Sequence, residues 1–121
     1  MLCEVAIRGR EDLLAAREAV RRAAREAGCD PVVETRLVAG LSDLVERFYH
    51  GAAGLLRLRA DGRMLEAVLE HGHGCEAVGP GPPDVTEVLL AVGSVRFMWD
   101  EVDVSPGLAD GLRVVLRAWL R

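Results

Sequence analysis

An acid and a base stand four residues apart near the middle of the chain, and their types and spacing could support chemistry. Asp43 and Arg47 would lie one above the other on a helix, because residues i and i+4 share a helical face. There they can pair with each other, or both can point into a pocket. A solvated helical ion pair is common and is worth only about 0.3–0.5 kcal/mol. Spacing alone leaves both interpretations open.

A second group of potentially reactive side chains follows a predicted strand. His71, His73 and Cys75 alternate along a glycine-containing loop, with Glu70 beside them. Imidazole and thiolate are ligands that zinc accepts, so a metal site is one hypothesis for this loop. The spacing matches no closed four-ligand zinc pattern, and histidines in such a loop are more often ordinary polar residues. Cys75 is better interpreted as a small apolar side chain than as a nucleophile, because no base and acid accompany it.

Composition excludes several classes of function. The chain has 19 acids against 15 cations, all of them Arg, and its net charge is −4, which leaves no basic patch for nucleic acid. Lys, Asn and Gln are absent, which excludes a Schiff-base lysine and a phosphate-loop lysine. Three cysteines at unpatterned spacing indicate reduced thiols. With no membrane-length apolar run and no signal-peptide pattern, we expect a cytoplasmic protein.

The first predicted helix carries an Arg-rich face and ends at Gly28. Arg17, Arg21 and Arg25 fall every fourth residue on one stripe that we expect to be exposed, and we name it the arginine stripe. Arg is favoured in protein interfaces, so the stripe is a candidate partner-binding surface. Like charges at this spacing repel one another, and an acidic partner would relieve that repulsion. The alternative is a charged face that only keeps the protein in solution.

A second helix is predicted from Asp30-Pro31 to about Tyr49, with Glu34 in its first turn where an acid suits the helix dipole. It carries an apolar stripe at helical spacing that should face a sheet: Val33, Leu37, Leu41, Leu44 and Phe48. A hairpin follows. Asp61-Gly62 separates two alternating segments and is typical of a two-residue turn.

The remaining pattern predicts a short strand before the first helix, a third helix from about Asp84 to Trp99 that contains Gly93, and two closing strands. The predicted order is therefore β-α-α-β-β-α-β-β. Segregated helices and hairpins of this kind indicate an α+β fold. We expect one domain over residues 1–121, a two-layer sandwich in which three helices cover one face of a mixed or antiparallel sheet.

Several of these segments resemble the anti-sigma regulatory factor and serine-kinase branch of the GHKL ATPases, which have the histidine-kinase-type ATP-binding fold. The stretch from Leu14 to Gly28 resembles the family's first helix, with its Ala-Arg pair and final Gly. Residues 36–49 are similar to its second helix, where the family has Ser-Glu-Leu and an asparagine four residues after the acid. Residues 96–100 and 111–119 are similar to the end of its last helix and its final strand. The resemblance implies a GHKL ATPase-like fold over most of the chain.

Position by position, the resemblance implies a degenerate nucleotide site. Asp43 falls where the family has the glutamate that orients the attacking hydroxyl or water. Arg47 falls on the asparagine that holds Mg²⁺, and a guanidinium has no acceptor with which to ligate a cation. It could contact a phosphate directly or pair with Asp43. Glu70, Gly72 and Gly74 match the adenine-binding Asp-x-Gly-x-Gly loop, with Glu in place of Asp.

The segment at about residues 75–84 resembles a shortened lid. The family has a longer mobile lid there with a glycine-rich phosphate-binding motif, whereas this chain has prolines, which lack an N–H to offer a phosphate. A rival register places Gly79-Pro80-Gly81 on the adenine-loop glycines and Ala77 on the acid. We prefer the first register because Glu70 directly ends a predicted strand.

The resemblance implies a protein-binding regulator of the partner-switching kind, with no cofactor or with ATP bound weakly. Its partner would be a sigma factor, a STAS-domain antagonist or a phosphatase-type regulator, and a homodimer is compatible with the sequence. The alternative is an active ATP-dependent serine kinase or ATP-binding anti-sigma factor, with Asp43 as base and Arg47 at the phosphate. A metal-binding module through His71, His73 and Cys75 is the third hypothesis. We expect a regulator rather than an enzyme, and neither a nucleic-acid nor a membrane partner.

Overall fold

The computed structural model describes residues 2–9, 11–48, 54–71, 90, 92–106 and 112–120 of the 121-residue chain. The strands and helices in this part of the chain are β1 (Leu2–Ile7), α1 (Asp12–Glu26), α2 (Pro31–Phe48), β2 (Gly54–Asp61), β3 (Met64–His71), β4 (Glu101–Pro106) and β5 (Leu112–Trp119). Residues 92–95 are also helical and lead through a turn to a bend at 99–100.

The five strands form one antiparallel sheet in the order β1-β2-β3-β5-β4. The helices α1 and α2 pack against each other, and α1 also contacts β1 and β2. The expected α+β architecture is therefore confirmed, and the sheet is antiparallel throughout. Residues 84–89 and 91 of the predicted third helix lie outside the described residues. Trp99, which we expected within that helix, lies in the bend beyond residue 95.

Alternation along the strands determines which side chains enter the core. Leu56 and Leu58 of β2 are buried, whereas Arg57 between them points to the opposite sheet face. The same period-two pattern holds in β3 and β5, because successive strand residues face opposite sides of a sheet. The predicted apolar stripe of α2 is also buried at its centre. The core includes Leu37, Leu41, Leu44, Leu65, Ala67, Leu69, Val114, Leu116 and Ala118.

The hairpin between β2 and β3 is confirmed, but its turn is displaced by one residue. Asp61 still pairs with Met64, so the two loop residues are Gly62 and Arg63. Gly62 has a φ of +61°, a conformation that residues with a side chain rarely adopt. The glycine therefore takes the first loop position, and not the second position that the Asp61-Gly62 dipeptide suggested.

Gly28 ends the first helix region as predicted. Its φ is +79°, its N–H donates to Arg25 O at 3.0 Å, and the N–H of Cys29 donates to Ala24 O at 3.0 Å. A glycine with positive φ lets the backbone satisfy these terminal carbonyls, which would otherwise have no helical partner. The chain can then reverse within a few residues, and α2 packs antiparallel beside α1.

Gly40 allows the turn after residue 95 to approach α2 closely. A Cβ at this position would lie 2.9 Å from Met98 Cβ and 3.2 Å from Trp99 Cδ1. The indole N–H of Trp99 donates to the carbonyl of Leu37 at 3.1 Å, one turn earlier on α2. The missing side chain thus lets a buried Trp reach the helix backbone. Within the part of the chain that the structure describes, no helix is long and apolar enough to cross a membrane.

Candidate functional site

The arginine stripe of α1 lies at the seam between the two helices. Arg17 donates from Nε to Ser42 Oγ at 2.5 Å. Arg25 Nε lies 3.0 Å from Glu34 Oε1, and Arg21 Nε lies 3.6 Å from the same oxygen. The side chain of Glu34 is only 9% exposed. One buried carboxylate on α2 therefore holds two guanidiniums of the stripe, which offsets their mutual repulsion.

The expectation that the whole stripe is exposed was wrong for two of its three members. Arg17 and Arg21 are half-buried, whereas the side chain of Arg25 is 66% exposed. The sequence suggested a dipole role for Glu34 but gave no sign that it meets the stripe, because that contact depends on how the helices pack. Whether the stripe binds a partner stays a prediction.

Asp43 lies in a shallow groove beside the same stripe. It is half-buried on α2, and the groove is also lined by Arg17, Arg21, Ser42 and Glu46. The structure thus brings the predicted catalytic acid and two stripe residues to one surface. The side chain of Arg47 lies outside the described residues, so the predicted pair between Asp43 and Arg47 stays a prediction.

Glu70 lies on the sheet face opposite the helices. Its Oε1 is 3.7 Å from Arg57 Nη1 and 3.7 Å from Arg113 Nε, on the two neighbouring strands. The structure therefore does not bring Glu70 to the groove that contains Asp43. Gly72, Gly74 and the predicted lid lie outside the described residues, so the role of this loop in nucleotide binding stays a prediction.

The metal hypothesis finds no support in the described chain. His71 ends β3, and His73 and Cys75 lie outside the described residues. Among the residues that the structure does describe, no group of three His, Cys, Asp or Glu side chains is arranged to hold a metal ion.

The outer sheet face, defined here as the face opposite the helices, carries charges that alternate in sign from strand to strand. Glu66 on β3 accepts from Arg117 Nε on β5 at 2.9 Å and lies 3.9 Å from Arg59 on β2. Arg117 also contacts Glu101 on β4 at 3.3 Å. Hydrogen bonds to Glu66 and Glu101 raise the pKa of Arg117 above its usual value, so this guanidinium stays ionised. Together with the Glu70 pairs, these contacts link β2, β3, β5 and β4.

A cleft of about 500 Å³ opens at the end of the molecule where α2 begins and β5 ends. We name it the α2–β5 cleft. Its lining includes Cys29, Arg36, Met98, Asp100 and Trp119. Sequence reasoning missed it, because its walls come from three segments far apart along the chain. A signal in the sequence is the large aromatic residue Trp119 at the end of the last predicted strand.

Cys29 is not an activated thiol. Burial raises its pKa, and the nearby carboxylates of Glu34 and then Asp30 raise it further. A neutral thiol is a poor nucleophile because the thiolate is the reactive form. The α2–β5 cleft is therefore better suited to binding than to cysteine chemistry.

Comparison with known proteins agrees with this description at a coarse level. No family model matches the chain. The chain is similar to the serine/threonine-protein kinase RsbT of Bacillus subtilis (strain 168), with 26% identity over 125 aligned positions. The alignment covers 91% of this chain and 90% of that protein. This similarity supports, loosely, the serine-kinase branch that the sequence resembles.

Proposed function

We propose that the chain is a protein-binding regulatory domain of the partner-switching kind, with ATP binding weakened or lost. The observation that carries the proposal is the similarity to RsbT over nine-tenths of both chains. A likeness of this extent applies to the whole domain and not to one shared motif. The partner would be a sigma factor, a STAS-domain antagonist or a phosphatase-type regulator.

Arg47 is the reason to expect weak nucleotide binding. It occupies the position at which the resembling family has a Mg²⁺-ligating asparagine, and Mg²⁺ requires oxygen ligands. A guanidinium offers only donors and carries a fixed positive charge that repels the cation. Phosphoryl transfer depends on metal ions that neutralise the developing charge, so losing this ligand removes a necessary part of the chemistry.

Calorimetric titration with Mg-ATP tests the proposal that nucleotide binding is weakened or lost. The wild-type chain should bind weakly or not at all, and Arg47→Asn should gain Mg²⁺-dependent affinity. Arg22→Asn, an exposed position on α1, is the matched control and should bind like the wild type. Micromolar, Mg²⁺-dependent binding by the wild-type chain would contradict the proposal.

The arginine stripe is the proposed partner surface. Arg25 is largely exposed, and Arg17 and Arg21 line the groove that also contains Asp43. An acidic partner would gain charge-assisted contacts there and would associate faster through steering. The triple change Arg17→Gln, Arg21→Gln and Arg25→Gln should abolish capture of the partner that the wild-type chain co-purifies.

Arg22→Gln, on the same helix but off the stripe, is the control and should leave capture unchanged. Neutralisation is preferable to charge reversal, because a reversed charge would oppose the buried Glu34 and could unfold the chain. Capture is compared below the melting temperature of each variant. Undiminished capture by the folded triple variant would show that the partner binds elsewhere.

An active serine kinase is the second candidate, favoured by the name of the similar protein and by the placement of Asp43 in an accessible groove. If it is correct, phosphate from radiolabelled ATP should reach a serine of the co-purified partner, and Asp43→Asn should stop the transfer. Transfer that persists in the Asp43→Asn variant would remove Asp43 as the base.

A further inference from the structure

We propose that the α2–β5 cleft is a docking site for a basic segment of a protein partner, which inserts one apolar side chain beside Trp119. The inference deepens the proposed function and rests on it, since it gives the protein-binding role a second surface. This surface is separate from the shallow groove that contains Asp43, and its charge is opposite to that of the arginine stripe.

The apolar part of the cleft has the composition of an interface core. Val33 and Leu37 of α2, Met98 of the turn, and Ala118 and Trp119 of β5 contribute to its walls. Trp and Met are enriched at interfaces, and aromatic anchors in pockets supply much of the binding energy there. A volume of about 500 Å³ is large enough to accept one large side chain together with some of its flanking backbone.

Exposed apolar side chains concentrate in the segments that build the cleft. Among the described residues, the large hydrophobics that face solvent include Val32 (75% exposed), Phe97 (85%) and Trp119 (44%). They belong to the start of α2, the turn and the end of β5. The other exposed examples, Leu14 and Leu90, lie outside these segments. Of these three side chains, Trp119 lines the cleft itself, and Val32 and Phe97 are sequence neighbours of the lining residues Val33 and Met98. An exposed Trp in a cleft is typical of a protein-binding site.

The charge of the cleft indicates which charge the partner segment should carry. Three carboxylates and one guanidinium line it, Asp30, Asp100 and Glu101 against Arg36. Because Glu101 is already paired with Arg117, the lining together with that partner has a net charge of −1. A Lys- or Arg-bearing segment is attracted by this field, whereas an acidic segment is repelled.

The carboxylates retain acceptor capacity for such a segment. Asp30 accepts from the N–H of Val32 at 2.8 Å through Oδ1, and Asp100 accepts from the N–H of Trp119 at 2.7 Å through Oδ2. Each of these bonds uses one oxygen of a group that offers about four lone-pair sites. A partner guanidinium can therefore bind without breaking the contacts that hold α2 and β5 in place.

The chain contains two Trp residues, which provide a direct test by nuclear magnetic resonance. The probes are three synthetic capped pentapeptides with a central Phe flanked by Arg, a central Phe flanked by Glu, and a central Gly flanked by Arg. The indole resonance of Trp119 should shift saturably with the first peptide, and about tenfold more weakly with the others. The indole of Trp99, buried and bonded to Leu37, is the internal control.

A double substitution at two carboxylates of the cleft, named the rim variant, tests the effect of charge on peptide binding while the fold is kept. Asp30→Ser keeps an N-cap acceptor, and Asp100→Asn keeps a carbonyl for the N–H of Trp119, so the double variant loses charge but retains both bonds. Its affinity for the Arg–Phe peptide should fall about tenfold while its melting temperature changes little. Glu18→Gln with Glu26→Gln, on α1, is the matched control and should leave affinity unchanged.

The proposal would be overturned by the absence of a saturable shift, by an equal response to the Glu-flanked peptide, by unchanged affinity in the folded rim variant, or by equal affinity for phenethylammonium alone. The last would identify a small-cation pocket. A Trp119 shift that depends on protein concentration without peptide would identify self-association instead. Because the test needs only the purified chain and peptides, it can fail while partner capture through the arginine stripe succeeds, and the reverse also holds.

Discussion

At the scale of single residues, Glu34 is the side chain that contributes most to the contact between α1 and α2. Its carboxylate is buried, whereas Arg21 and Arg25, which it contacts, keep side-chain exposures of 35% and 66%. Removing the acid leaves two cations that water can reach. Removing the cations leaves a buried charge without those two partners, which is the more costly outcome.

We therefore predict an asymmetry in stability. Arg21→Gln with Arg25→Gln should lower the free energy of unfolding by about 2 kcal/mol, and Glu34→Gln by about half of that. Urea denaturation measures both, with equal m-values showing that only stability has changed. Adding Glu34→Gln to the Arg double variant should recover part of the loss. A greater cost for Glu34→Gln alone would contradict this account of the seam.

The thiol of Cys29 gives a second residue-scale prediction. Its pKa is raised by burial and by Glu34 and Asp30, so the folded state holds the thiol proton more tightly than the unfolded chain does. Its stabilising contribution is present below the unfolded pKa and is lost as pH rises through the folded pKa. In a Cys3→Ser, Cys75→Ser background, alkylation by iodoacetamide should have its pH midpoint above that of glutathione. Adding Glu34→Gln should lower this pH midpoint. An unchanged midpoint would show that the Glu34 carboxylate does not raise the pKa of Cys29.

At the scale of elements, α2 and the turn at residues 96–100 are held together by a close approach at Gly40. A methyl group there would press on Met98 Cβ, which is not the free end of a flexible side chain. Ala is about 1 kcal/mol better than Gly within a helix, but overpacking of this kind costs about 1–3 kcal/mol. The bond from Trp99 to Leu37 depends on this contact.

Gly40→Ala should therefore destabilise the chain by about 1 kcal/mol and move the indole resonance of Trp99. Gly93→Ala is the matched control, because an added Cβ there meets nothing within 4 Å. It lies in a helical segment and should stabilise the chain by up to about 1 kcal/mol. Equal stabilisation by both substitutions would mean that the turn at residues 96–100 shifts to accommodate the added methyl group without cost.

At the scale of the whole molecule, an ionic network links the strands across the outer sheet face. Glu66 and Glu70 on β3 each lie between arginines of the flanking strands. The aliphatic parts of such arginine side chains can cover neighbouring apolar surface, and Val68, between the two acids, is only 8% exposed. In the described part of the chain, the network and these aliphatic stems together stabilise the sheet face that α1 and α2 do not contact.

We expect this network to make stability depend on salt. Glu66→Gln with Glu70→Gln leaves four arginines on adjacent strands and should cost about 2 kcal/mol at low salt, with a smaller cost at 0.5 M NaCl. The control is Glu26→Gln on α1, which should change little at either concentration. A penalty for the double variant that is independent of salt would assign the effect to packing and not to charge.

Local spacing in the sequence determined the elements. Alternation defined β2, β3 and β5, a three-to-four residue repeat defined α1 and α2, and Gly28 marked the end of the first helix. These features depend on neighbours within about four positions, which sequence periodicity records directly. The hairpin was predicted for the same reason. Its one-residue displacement shows that strand pairing sets the register of the turn.

Only the tertiary structure decided which elements' side chains meet. Arg17 meets Ser42 across 25 positions of sequence, and Trp99 meets Leu37 across 62. The same packing pairs Glu70 with arginines of two neighbouring strands and joins the start of α2 to the end of β5 in one cleft. No period in the sequence encodes these distances, because they follow from the order of strands in the sheet and from the way the helices lie on it.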